Sequence, residues 1–164
     1  MKGDYRRTLH EHLVELFMGA EMKAKVAAVR ALHPADSLPD LRAVYINEED
    51  ANKVVLTPCL LLFPQGPAVN EAMSLAYQYE FPIDICAFDT PTTEGLPALQ
   101  NRLYAYQGCV TDLLMSDHSY EAGYWSAVRP IEPIEPDSLV HAIYGELGRV
   151  EGYRFGFEWT LDYP

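Results

Sequence analysis

The sequence predicts an α+β fold: a two-layer sandwich in which helices cover one face of a mainly antiparallel, four-stranded sheet, in the order α-β-β-α-β-β. Three observations predict it. Residues 73–88 (MSLAYQYEFPIDICAF) place Met73, Leu75, Tyr77, Tyr79, Phe81, Ile83, Ile85 and Ala87 at odd positions, with Ser74, Gln78, Glu80 and Asp84 between them. An extended strand with that alternation has one apolar face and one polar, acidic face. Residues 150–163 repeat the theme, with Tyr153, Phe155, Phe157, Trp159, Leu161 and Tyr163 alternating against Arg154, Glu158, Thr160 and Asp162. Residues 4–32 instead carry apolar side chains at steps of three and four, the period of a helix. Strands with one wet face belong to an antiparallel sheet covered on one side only.

Taken in order, the first helix is predicted over residues 4–32. Its stripe is Leu9, Leu13, Leu16, Phe17, Ala20, Ala24, Ala27, Ala28 and Ala31, and Thr8 with Glu11 matches a capping box. His33-Pro34 ends it, because the residue before proline avoids the helical region. Val14, Met18, Met22, Val26 and Val29 make a second apolar row off the main stripe, which marks them as a candidate subunit contact. Residues 35–53 read as a long acidic loop with a short strand at 43–46, and loops of that length are often functional. Residues 54–63 are an apolar run with Pro58 at a bulge or edge, hence a buried strand. Pro64-Gln65-Gly66-Pro67 then turns the chain into a hairpin with the 73–88 strand. At about 3.3 Å per residue that strand spans roughly 50 Å, and Pro82 requires an edge, bulge or bend within it.

After the loop TPTTEGLP a second helix begins near Pro97, with Leu99, Leu103, Tyr106, Val110, Leu113 and Leu114 on its apolar face. Gly108 weakens its middle and marks close packing. A third strand is expected at 120–129. The doubled tripeptide IEPIEP (Ile131, Glu132, Pro133, Ile134, Glu135, Pro136) should be extended. Asp137 caps a short helix over 138–147, with Leu139, Ile143 and Leu147 inward. The last strand closes the chain. The whole reads as one domain, 1–164: helix 4–32, loop 35–53, and a sheet-and-helix core over 54–164.

Composition narrows the function. The chain has 24 acids against 12 bases, a formal charge of −12. Gripping a nucleic-acid duplex needs clustered Lys and Arg, so that class is disfavoured. A basic protein partner, or a surface past which DNA slides without sticking, fits better. No apolar run approaches a membrane span, and the first residues do not read as a signal peptide. Cys59, Cys86 and Cys109 are odd in number and lack CxxC spacing, so they read as buried thiols.

Catalytic patterns are few. Ser126 lies in GYWSAV rather than GxSxG, and neither a phosphate-binding loop nor a GxGxxG turn occurs. His10 and His12 flank Glu11 without the i,i+4 spacing of helical zinc ligands, and His33, His118 and His141 stand alone. Glu80, Asp84 and Asp89 share a strand neighbourhood and could pair with Glu158 or Asp162 across the sheet. Such carboxylates could hold a divalent cation, form a solvated acidic face, or line a channel. The reading favours no catalytic, cofactor or metal residue, and assigns Glu80, Asp84, Glu158 and Asp162 to an acidic lumen.

With this order of elements, the chain resembles the tail terminator, or tail-completion, proteins of tailed bacteriophages. The resemblance rests on PCLLLF followed by AYQYEFPIDICAF, on the helix LQNRLYAYQGCVTDLLM after an acidic proline-bearing loop, and on the closing strand VEGYRFGFEWTLDY. It spans most of residues 54–164 plus the first helix. The loop 35–53 and IEPIEP depart from the pattern. The resemblance implies a structural virion protein without cofactor or enzymatic activity, assembled in the host cytoplasm. It implies a ring, typically of six subunits, that caps the tail tube, joins it to the head-tail connector, and passes DNA through its lumen. IEPIEP then becomes a docking arm. Two rival classes share the charge and the lack of catalytic motifs: an acidic inhibitor or immunity-type protein binding a basic enzyme one to one, and another head-tail connector component. A carboxylate-dependent hydrolase ranks last.

Overall fold

In a computed structural model, described for residues 5–47, 53–64, 68–71, 77–90, 95–116, 125–131, 139–145 and 148–163, the first helical stretch is two helices. These are α1 (Tyr5–Met18) and α2 (Ala20–Leu32). Gly19 separates them in an extended conformation, φ −79° and ψ 176°. A Cβ at Gly19 would lie 2.9 Å from the Glu15 carbonyl oxygen, so the break accepts no larger residue without moving backbone.

The break also changes which face is buried. Leu9, Leu13 and Phe17 of α1 are buried as the stripe predicts, but α2 buries Met22 and Val26. Ala20, Ala24, Ala27, Ala28 and Ala31 are exposed. A continuous helix would have carried the stripe onto the alanines. The interruption rotates α2 so that its larger side chains reach the core, and larger side chains remove more apolar surface from water.

A 3₁₀ turn, Pro34–Asp36, follows α2, and then β1 (Ala43–Ile46). The segment between them is pinned down. Leu38 and Leu41 are buried, and Arg30 donates at 2.5 Å both to the Leu38 carbonyl and to Asp40 Oδ1. The expected 35–53 loop is therefore docked over its first part, and the strand at 43–46 is present. Residues 48–52 lie outside the described residues.

The remaining elements are β2 (Cys59–Pro64), β3 (Ala68–Glu71), β4 (Tyr77–Asp89), α3 (Leu96–Ser116), β5 (Trp125–Ile131), β6 (Leu139–Gly145) and β7 (Gly148–Tyr163). The class is α+β, as expected, but the sheet is mixed and larger than the four-stranded antiparallel one. At its centre is β1-β2-β4, in which β1 runs parallel to β2 and β2 antiparallel to β4. Beyond β4 the pairing continues to β7, whose far edge takes β5 and β6 end to end. β2 and β3 likewise share one edge of β4.

β2 and β3 cover different parts of that edge. Their ladders cover Ile83–Phe88 and Tyr77–Glu80 of β4, and residues 65–67 between the two strands lie outside the described residues. On its other edge β4 pairs with β7 straight through the proline, Pro82 standing opposite Glu158.

Two further expectations fail. Residues 54–58 precede the strand instead of starting it, and the Thr57–Pro58 bond is cis. The helix expected over 138–147 is the hairpin β6-β7, in which Gly145 pairs with Gly148. Val140, Ile143 and Tyr144 favour strand, and pairing with β7 overrides the weak helical spacing of Leu139, Ile143 and Leu147. β3 was not anticipated, and residues 73–76 and 120–124 of the expected strands lie outside the described ones.

All three helices pack on one face. Leu9, Leu13 and Phe17 of α1, Met22 and Val26 of α2, and Leu99, Leu103, Tyr106, Val110 and Leu113 of α3 form one core with Leu60, Leu62, Ile83, Ile85 and Ala87. The six apolar positions expected on α3 are all buried. The opposite face is not simply wet. There Cys59, Leu61, Cys86 and Phe88 form a second buried cluster with Val54, and Ala43, Tyr45 and Phe63 pack against it. The Val55 and Leu56 backbone N–H groups donate to Tyr45 Oη, which ties the strap before β2 to β1.

Candidate functional site

Alternation along β4 assigns the faces. Ile83, Ile85 and Ala87 sit in the core beneath the helices, whereas Cys86 and Phe88 sit on the opposite face. The even positions of β4, including Glu80 and Asp84, therefore belong to the face away from the helices. Antiparallel ladders bring residues of one face opposite each other. Gln78, Glu80, Pro82 and Asp84 pair with Asp162, Thr160, Glu158 and Gly156. Glu80, Asp84, Glu158 and Asp162 thus share one face of the β4-β7 pair, and none stands directly opposite another. Like charges directly opposite are destabilising, and the stagger avoids that. Their side chains lie outside the described residues.

That face changes character along its length. Asp84 pairs with Phe63, Cys86 with Leu61 and Phe88 with Cys59, so the acidic positions give way to the second buried cluster. Burial pushes the Cys59 thiol well above its ordinary pKa, and the neighbouring Cys86 and Asp89 add to the shift. Cys109, on α3, is also raised, by burial and by Asp112, against a smaller opposing pull from Lys25. Thiols so placed are poor nucleophiles at neutral pH.

Asp89 does not join the sheet-face acids. It has the parity of the helix-covered face, and its Oδ2 accepts from Arg102 Nε at 3.2 Å in a pair almost closed to water. Its Oδ1 accepts from the Thr90 N–H at 2.8 Å. Burial raises the carboxyl's pKa, opposed by the Thr90 N–H and by Arg102. One helical turn on, Tyr106 is fully buried and donates from Oη to the Pro39 carbonyl at 2.7 Å. These contacts fasten α3 to the end of β4 and to the segment after α2. They were missed in the sequence, although Arg102 falls between Leu99 and Tyr106 on the buried side of α3, where a cation needs a partner.

The row proposed as a subunit contact is largely used inside the chain. Met22 and Val26 are each 1% exposed in the core, and Val29 packs against it. Val14 and Met18 are half-buried. The row is not an outward face. Of the docking arm, Ile131 ends β5 and pairs with Gly156. Glu132, Pro133, Ile134, Glu135 and Pro136 lie outside the described residues. β6 begins at Leu139, which pairs with Tyr153.

Glu11 pairs with Arg7 at 2.7 Å on an exposed turn of α1. Among the described residues no three His, Cys, Asp or Glu side chains converge as a metal site would require. Among them, too, no helix is long and apolar enough to cross a membrane. No protein-family model matches the chain, and no curated protein matches it.

Proposed function

We propose that this protein is a structural ring-forming component of a phage tail, of the tail-terminator kind. In this reading it caps the tail tube, presents the joint to the head-tail connector, and lets DNA pass through its lumen. The observation that carries the reading is the acid register: Glu80, Asp84, Glu158 and Asp162 share the sheet face turned away from the helices. A lumen lined by carboxylates repels phosphate and does not retard a passing genome. The stiff, doubled tripeptide at 131–136 is read as an arm that touches the tube protein or the connector.

Negative-stain imaging of the purified protein, alone and with a tail tube protein, tests this. A closed ring with a central hole that seats on tube ends is expected. A monomer that instead binds a basic enzyme one to one would replace the reading with that of an acidic inhibitor. Within rings, replacing the four acids by Lys should create salt-dependent duplex binding, and replacement by Asn or Gln should leave assembly intact. DNA binding by the unmodified ring would show that the acids face elsewhere.

A further inference from the structure

The outer edge of β1 has backbone groups to offer and nothing to discourage a partner. Among the described residues β1 pairs with β2 alone and ends the sheet. Its ladder fixes which groups point outward. The Arg42 N–H donates to the Pro58 carbonyl, inside the sheet, and successive residues of a strand alternate in direction. Val44 therefore bonds to β2, while Ala43 and Tyr45 turn their N–H and C=O groups to the outer side. Natural edges are blunted by lysine, proline or a bulge, and the strand AVYI carries none of them.

Apolar surface lies at the same place. The strap before β2 is fastened to β1 at Tyr45 Oη, and the two residues whose N–H groups it holds, Val55 and Leu56, are 81% and 37% exposed. The two ends of β1 differ in charge. Arg42 stands exposed at the start, where the nearby Asp40 is already paired with Arg30. Beyond Asn47 the sequence runs into residues 48–53, with three acids against one base.

We propose that β1 docks on β1 of a second copy of the chain, antiparallel about a two-fold axis at Val44, so that two sheets become one. The register decides the occupant. Centred on Val44, Ala43 of each copy stands opposite Tyr45 of the other, and every outward donor meets an outward acceptor. Centring on Ala43 or Tyr45 would send an outward residue past the end of the other strand, against Leu41 or Asn47. A shift by one residue would oppose groups already bonded to β2 and exchange the faces. The same register sets the small Ala43 beside the large Tyr45. Charge agrees with the direction, because antiparallel strands bring Arg42 of each copy to the acidic end of the other, whereas parallel strands would join like ends. Such a contact is isologous and closed, so it stands apart from the ring reading and joins two copies whether or not they also sit in rings.

Oxidative cross-linking of Val44→Cys with diamide, read as a covalent dimer on a non-reducing denaturing gel, tests it. The two introduced thiols give two electrons and two protons to diamide and join as a disulfide. Residues directly opposite in a non-hydrogen-bonded pair have Cα atoms about 4.5 Å apart, within disulfide reach. Val44→Cys should therefore cross-link many-fold faster than Ala43→Cys, whose two copies stand on a diagonal about 7–8 Å apart. The wild type, whose own thiols are buried, should not cross-link. Adding Ala43→Pro removes only an outward N–H, which an edge tolerates, and should abolish the cross-link. A second readout needs no variant: amide exchange at Ala43 and Tyr45 of the wild type should slow many-fold as concentration rises. Cross-linking no faster at Val44→Cys than at Ala43→Cys, a cross-link that survives the proline, or exchange independent of concentration overturns the contact. Rings seen by imaging beside concentration-independent exchange would overturn it and leave the ring reading standing.

Discussion

Arg102 Nε and Asp89 Oδ2 lie 3.2 Å apart, with side chains only 3% and 8% exposed, at the point where β4 hands over to α3. Removing one partner of such a pair leaves a buried charge uncompensated, which costs about 3–5 kcal/mol. Arg102→Met should therefore lose roughly that much stability at neutral pH. The double replacement Asp89→Leu with Arg102→Met should recover most of the loss, because an apolar pair of similar volume carries no desolvation cost. Urea denaturation of the three proteins checks this. A double variant as weak as the single one would show that the pair contributes specific packing beyond its charge.

The same carboxyl gives a pH dependence with a defined sign. Burial raises the pKa of Asp89 above its ordinary value, despite Thr90 and Arg102. The native state then holds this proton more tightly than the unfolded chain does. Its contribution is fully present below the unfolded-state pKa and is lost as pH rises through the folded one. Measured against Asp89→Asn, which does not titrate there, the relative stability of the wild type should fall as pH climbs out of the acid range. A relative stability that rises over that interval would mean the Arg102 attraction outweighs burial.

Two glycines should respond oppositely to alanine. At Gly19 the new methyl meets the Glu15 carbonyl at 2.9 Å, so Gly19→Ala should destabilise by about 1–3 kcal/mol as an overpacked site does. At Gly108 the methyl enters open space, so Gly108→Ala should stabilise the monomer by about 1 kcal/mol from helix propensity. Thermal melts under dissociating conditions separate the two. Equal effects at both positions would contradict the described break between α1 and α2.

Met22 should behave as a core residue. Met22→Ala is expected to cost about 2–5 kcal/mol, and Glu at Met22 or Val26 should unfold the chain and not merely dissociate it. A folded, monomeric Met22→Glu protein would return that residue to the subunit contact.

The three thiols should be silent in the native state. Cys59, Cys86 and Cys109 are all buried, and Cys59 and Cys109 are pushed further toward the protonated form. Labelling by a thiol reagent at neutral pH should follow unfolding, one equivalent for each cysteine. Fast native labelling would mean that the second cluster opens readily.

The sequence by itself determined whatever depends on neighbours along the chain. Alternation marked β4 and β7 and fixed which of their residues share a face. Helical spacing marked α3 with its buried side correct. Those signals are local, because side-chain direction follows from period 2 or 3.6 alone. What remained illegible depended on partners far along the chain. The helix break at Gly19 was hidden because the alanines continue the period, and the choice of Met22 and Val26 over them is made by the sheet they pack on. The β6 strand was hidden because its pairing with β7 overrides a weak helical spacing, as tertiary context does when local preference is slight. Asp89 read as one more sheet acid until α3 brought Arg102 to it. A buried charge takes its role from the single group placed opposite, and only the folded chain chooses that group.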